Sequence, residues 1–413
     1  MKIQPQKQAA EPVIGIVAMV PEVWSEVKMS RHHLLEGLSK DYKVLWVAPP
    51  VYLQDLVQSG FRTVQNGREL IKRSDRFWVF GMILPAGYRM NWKKKGLAGA
   101  LVKAYEKIWQ KAFVWKLKGI LKSMGLDECI LYIWRPEYGW MIGRLGESCL
   151  VYHMVDEYSF DPEKDHPIQP DEQKLIEDSD LVVIHSQSLF EKKGHINANT
   201  HILPNGVDFE RYRAAVEQMD SEPPELTLLS RPKIGYMGFI KRHLDLRLVI
   251  ELATARPKWS FIMVGPVREN HAEIREAVQC LRNMPNVHFT GSVDAAELPR
   301  YVKSFDVAIM PYKNTFYTKY IYPLKLHEYL SVGLPVVSTP LRNLIEFKDL
   351  VSFAESRDQW IATIEQCIRE NDAAKAADRV AVASRNSWRG RVAALSIMIR
   401  EAREKAKDKR NVP

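Results

Sequence analysis

Cysteine is scarce. Cys129, Cys149, Cys280 and Cys367 are the four in 413 residues, widely spaced and without a CxxC pair. That argues against a disulfide framework or a cysteine zinc site and fits a reducing compartment. No run approaches the roughly 20 apolar residues of a membrane span. The stretch ahead of Val13 is polar and shows no secretory signal. The expectation is a soluble protein, or one that lies on a surface without crossing it.

Several cofactor and hydrolase fingerprints are missing as well. The first apolar run, IGIVAMV, lacks the glycines of GxGxxG, which weakens a nicotinamide or flavin reading. No GxxxxGK[ST] marks a P-loop, and no GxSxG marks a nucleophile elbow. His327-Glu328 starts like HExxH, but Ser331 takes the second histidine position, so a zinc protease is excluded. Asp178-Ser179-Asp180 is a DxD, a pattern that holds a metal in some sugar-transferring enzymes. Here it closes KLIEDSD and opens LVVIHS, so capping and solvation account for it. No metal site and no cofactor are expected.

What is present is the composition of a folded protein, 46% hydrophobic and 26% charged. The length exceeds one ordinary core and suits two domains of roughly 150–200 residues. Short Val- and Ile-rich runs alternate with helical patterns. Strands are expected at PVIGIVAMV (12–20), KVLWVAPP (43–50), FWVFGMILP (77–85), ECILYIWRP (128–136), SCLVYHMVDE (148–157) and DLVVIHS (180–186). The alternation restarts at KIGYM (233–237) and continues through SFIMVG (260–265), NVHFTG (286–291), VAIMPY (307–312), PVVST (335–339) and LVSFA (350–354). Two helical stretches, 357–371 and 388–406, close the chain. This is the pattern of βαβ units and parallel sheets.

The polar, proline-bearing stretch 216–232 reads as the inter-domain region. The expected fold class is α/β, with two doubly wound Rossmann-like domains facing a cleft. A loose tail spans 1–10, the first domain 11–205 and the second 206–385. A C-terminal helix and basic tail, 386–413, can cross back to the first domain, with 405–413 loose. Ligands belong beyond the carboxyl ends of the strands.

One such loop leads into YPLKLHEYLSVGLPVVST (322–339). Pro323 suits the first turn of a helix, and Gly333 ends it. Lys325 and Glu328 are then neighbours on one face. A lysine at a helix start suits a diphosphate, and a carboxylate one turn on can accept hydrogen bonds from ribose hydroxyls. In isolation the two would read as a surface ion pair worth roughly 0.2–0.5 kcal/mol.

Their company decides otherwise. The motif P-x-K-x-x-E-Y-x-x-x-G-x-P-V-V resembles the nucleotide-sugar motif of GT-B glycosyltransferases, most of all the large, mostly retaining family of bacterial polysaccharide enzymes. LPNGVDFERY, IGYMGFIKRHLDLRLV, FIMVGP and VHFTGSVDAAELPRYVKSFDVAIMPY follow in family order, with LVYHMVDEYS in the first half. The resemblance covers nearly the whole chain. It implies that Glu328 binds the donor ribose and that Lys325, with Leu326 beside it, meets the diphosphate. Gly238 and Phe239 let the phosphates approach the backbone, and Lys241 or Arg242 supplies positive charge. Gly265, and Ser292 with Val293 after Gly291, frame the base. Asp156, Glu157 and Arg135 are the candidates on the acceptor side, whereas His153, His185 and His201 read as packed or capping groups.

Two departures stand out. Tyr320 occupies the place of the first of two glutamates in many retaining relatives, and Trp134 or Arg135 stands where a histidine is common. Retention and inversion both stay open. An inverting reaction needs a base, Asp156 or Glu157; a retaining one can use the leaving phosphate. The implied function is transfer of a sugar from a UDP- or GDP-sugar to a glycan or lipid-linked acceptor hydroxyl, without a metal. A nucleotide-sugar epimerase on the same fold and a non-catalytic sugar- or nucleotide-binding protein are the alternatives.

The net charge of +9 is concentrated in 89–126, where Glu106 is the only acid and Trp92, Trp109, Phe113 and Trp115 are interleaved. Lysines among tryptophans suit an anionic membrane surface. Relatives commonly act on lipid-linked acceptors there, so the expected place is the cytoplasm, with peripheral attachment to the inner face of the cytoplasmic membrane as the option this stretch raises. No signature of a nucleic-acid partner is present.

Overall fold

The computed structural model describes residues 13–25, 28–52, 70–84, 97–158, 160–161, 164–165, 167–218, 222–268 and 271–411. The expected tail at 1–10 and residues 89–96 of the basic stretch lie outside them. Two sheets carry the fold. The first has the order Thr200–Ile202, Leu181–Ile184, Cys149–Met154, Glu128–Ile133, Ile14–Met19, Lys43–Val47, Phe77–Phe80, Ile71–Ser74. Its pairs are parallel except the last, which is antiparallel. The second sheet runs Val287–Gly291, Ser260–Val264, Lys233–Met237, Val307–Met310, Val336–Ser338, Val351–Phe353, all parallel.

Central strands such as Cys149–Met154 and Ser260–Val264 are buried along their whole length. That is why they read as continuous apolar runs: helices cover both faces of a parallel sheet. In each sheet the strand order reverses beside its first strand. The reversal lies between Ile14–Met19 and Glu128–Ile133 in the first, and between Lys233–Met237 and Val307–Met310 in the second. Connections leave such a point in opposite directions and open a crevice at the carboxyl ends.

The chain leaves the first domain near Val207 and returns beside it. The Val207 N–H donates to Asn386 O at 3.0 Å, and Trp388 N–H donates to Val207 O at 3.0 Å. The helix Trp388–Asn411 then packs on the first domain, where Leu395, Ile399 and Ala402 join the core. Arg403 and Lys407 each reach Glu128 at 3.2 Å. The helix crosses back as expected, but 405–411 are helical rather than loose.

One further expectation changes, and two elements form that the sequence did not announce. The stretch 216–232 does not link the domains: the helix Phe209–Gln218 and the turn Pro224–Thr227 bury Tyr212, Ala215 and Leu226. One apolar residue per turn is enough to hold them on the second domain. Ile71–Ser74 forms an edge strand although three of its four residues are exposed, so no apolar run announces it. Ala373–Arg385 is a helix whose buried residues are Arg379 and Ala383, too weak an apolar face to see in sequence.

The domains also touch away from the crossover. Asn343 Oδ1 accepts from Ser188 N–H at 3.0 Å and from its hydroxyl at 2.9 Å. Tyr320, 5% exposed, packs into a first-domain cluster between Lys192 and Lys319. Among the described residues no helix is long and apolar enough to cross a membrane.

Candidate functional site

The reversal in the second sheet opens a cavity of about 460 Å3 lined from both domains. The second domain contributes Tyr236, Gly238, Phe239 and Lys241 from the end of Lys233–Met237 and the loop beyond it, Tyr312 beyond Val307–Met310, and Lys325 and Glu328 of the helix Lys325–Ser331. The first contributes Asp156, His185 and Asn205, each just past a strand.

Glycine is required at the centre. Gly238 has φ +135°, and a Cβ there would lie 3.1 Å from Lys325 Cε and 3.4 Å from its Nζ. The absent side chain leaves the loop backbone and the ammonium open to one ligand group. Gly265, φ +127°, lies behind this loop, and a Cβ on it would stand 2.4 Å from Gly238 O.

Charge is unbalanced here. Lys325 Nζ donates to the Tyr312 hydroxyl at 2.7 Å and lies 5.3 Å from the ring centroids of Tyr236 and Tyr312. Burial pulls its pKa down, but the two phenols and Glu328 outweigh that and hold it above the usual lysine value. Burial lowers the pKa of Lys241, and Lys325, Arg242 and Arg268 lower it further, against the pull of Asp156. None of these four cations forms an ion pair among the described residues. Arg268 instead stacks over Phe239 at 4.9 Å.

Lys325 and Glu328 do not pair with each other. Burial raises the Glu328 pKa, opposed by Lys325 and by a hydrogen bond with Tyr212. Asp156 lies open to the cavity. Burial raises its pKa too, against Arg135, Lys241 and Arg31.

Its neighbour is committed elsewhere. Glu157, 7% exposed, accepts from Lys193 Nζ at 2.8 Å, and Lys193 also binds Glu172 at 2.8 Å. Both residues lie past the strand Cys149–Met154, and their surroundings separate them. One carboxylate therefore faces the cavity and the other anchors a helix, which removes Glu157 as a base.

Other expected residues are placed differently. Arg135 pairs with Glu137 at 2.6 Å and lines a second cavity. Leu326 is fully buried in the second core, and its N–H donates to Pro323 O at 3.2 Å. Arg242 and Ser292 are exposed, Val293 packs on the second core, and none of them lines the 460 Å3 cavity.

Among the histidines, His153 is buried against Tyr132, and His201 bonds Asn199. His185, expected to be merely packed, lines the cavity; burial lowers its pKa to about 4. Asn205, Tyr236 and Tyr312 were also missed. Their one sequence signal is position at or just beyond a strand's carboxyl end. Tyr320 lies outside the cavity, so the departure there is not a group missing from its wall. Asp180 accepts from Leu150 N–H at 2.9 Å and Asp178 pairs with Lys174, so the DxD is structural.

Comparisons with known proteins bear on the family and the fold. A family profile described as Glycosyl transferases group 1 matches residues 231–370. Over 359 residues the chain is 33% identical to TuaH of Bacillus subtilis (strain 168), which is named as a glycosyltransferase of teichuronic acid biosynthesis; the match covers 81% of this chain and 82% of that one. HepE (Alr3699) of Anabaena, solved with UDP, superposes with a TM-score of 0.64 at 15% identity, covering 94% of this chain and 99% of HepE. Sucrose-phosphate synthase from Thermosynechococcus elongatus gives 0.65 at 15% identity, covering 94% and 98%. At that identity the likeness is one of fold, and the fold is GT-B.

Proposed function

The chain belongs to the group 1 glycosyl transferases, and on that premise we propose that it moves a sugar from a uridine diphosphate sugar to a hydroxyl of a glycan or lipid-linked acceptor in cell-surface polysaccharide synthesis. The observation that carries the donor assignment is the set of unneutralised cations around Gly238, a site that a diphosphate would neutralise. HepE, of the same fold, is solved with UDP, and TuaH is named for a cell-wall polymer; both support the reading.

Lys325 and Lys241 take the charge that develops on the departing diphosphate. Their worth is greatest in a site shielded from water. Glu328 accepts hydrogen bonds from the ribose hydroxyls. Asp156, reaching the cavity from the opposite domain, accepts the hydrogen bond of the incoming hydroxyl and takes its proton. Its raised pKa brings it closer to neutrality, where a base works best.

The helix Leu97–Ser123 supplies the membrane contact. Its outer stripe carries Ile108, 68% exposed, and Trp115, 77% exposed, among exposed Lys107, Lys111, Lys118 and Lys122. An apolar pair ringed by lysines suits the headgroup layer of the anionic cytoplasmic leaflet.

The donor assignment is tested by thermal shift with UDP, GDP and ADP on the wild type, Lys325→Ala and Glu328→Ala. UDP should stabilise the wild type most, and both substitutions should abolish the shift. Equal shifts in all three proteins would refute it.

A further inference from the structure

The reversal in the first sheet opens its own cavity, of about 250 Å3, at the equivalent place. Pro21 lies beyond Ile14–Met19, and Arg135 and Glu137 lie beyond Glu128–Ile133. The helix Leu97–Ser123 closes it with Glu106 and Trp109, and Trp140 completes the wall. The lone acid of the basic stretch thus lines the cavity, while Lys107, Lys111, Lys116, Lys118 and Lys122 of the same helix are exposed.

The chemistry here differs from that of the donor cavity. The Trp109 and Trp140 ring centroids are 5.5 Å apart at 59°, so their faces form a corner. The Trp109 indole N–H is buried and has no hydrogen-bond partner among the described residues. Glu106 presents acceptors; Glu137 accepts from Arg135 at both carboxylate oxygens, at 2.6 and 3.2 Å, and offers a hydroxyl only its remaining lone pairs. Indole faces receive the C–H face of a pyranose, and carboxylates bind its hydroxyls. A phosphate would be repelled by the two carboxylates, and the one guanidinium is already paired with Glu137.

Arg135 also links the cavity to Asp156. Arg135 stacks over Tyr158 at 4.9 Å and is the strongest cation acting on Asp156. We infer that this cavity is the subsite for an uncharged pyranose ring of the acceptor, seated against the corner that Trp109 and Trp140 form and held by Glu106 and Glu137. The inference rests on the glycosyl-transfer reading above and names its acceptor class.

Saturation-transfer NMR on the full chain tests it. The probes are UDP and three methyl glycosides: a hexoside, an N-acetylhexosaminide and a hexuronide. At least one uncharged glycoside should bind the wild type. Its signal should fall at least about fivefold in Glu106→Gln and in Glu137→Gln, the effect of replacing a charge-assisted hydrogen bond by a neutral one. The UDP signal should persist in both. Two variants on separate elements guard against one that misfolds. The inference is overturned if no uncharged glycoside binds the wild type, if its signal survives both substitutions, or if the hexuronide binds best. Failure of the donor reading would show separately, as absence of the UDP signal from the wild type.

Discussion

The two crevices occupy equivalent places in their sheets and are furnished in opposite ways. The crevice of the second sheet has a glycine loop, crowded cations and a carboxylate at the nearby helix. The crevice of the first has indoles and two carboxylates around one guanidinium that is already paired. Topology decides where a ligand can sit, and the loop residues decide which. A phosphate suits the first set and is repelled by the second; a neutral ring suits the second. Asp156 stands between them, lining one cavity and feeling the arginine of the other.

The contrast can be broken by substitution. The largest effect is expected at the junction. Asp156→Asn should cut transfer about 100-fold or more, in the range for a lost general base, with UDP affinity unchanged or improved. Wild-type activity should rise with pH through the Asp156 pKa, which lies above the ordinary carboxylate value, and that acid limb should vanish in the variant. Steady-state kinetics across pH provide the check.

Next comes the donor cavity. Lys325→Ala should weaken UDP binding roughly 10- to 100-fold, the worth of a charge-assisted hydrogen bond. Gly265→Ala should cost about 2 kcal/mol of stability through its positive φ and its contact with Gly238 O, and should weaken UDP as the loop shifts. Chemical denaturation and UDP titration read the two effects. Smallest is the outer helix face. Trp115→Ala should lower co-sedimentation with anionic vesicles roughly threefold and leave UDP binding intact.

Much of the fold was legible because parallel strands buried on both faces leave apolar runs. Ile71–Ser74 and Ala373–Arg385 were not, because their burial is slight. Of the cavity's residues, Lys325 and Glu328 share one short helix in the sequence, and Gly238 stands out through the family resemblance. Asn205, His185, Tyr236 and Tyr312 were not legible, since separate strand ends converge only once the sheets are ordered. Asp156 and Glu157 are adjacent carboxylates in the sequence, and only the buried Lys193 that holds Glu157 separates their roles. Leu326 shares a helix with Lys325 and Glu328 but faces the core.

Calorimetric titration of UDP into the wild type, Lys325→Ala and Glu106→Gln tests the division between the two crevices most directly. Lys325→Ala should lose at least about tenfold in affinity, and Glu106→Gln should bind UDP as the wild type does. Undiminished binding by Lys325→Ala, or an equal loss in Glu106→Gln, would contradict it.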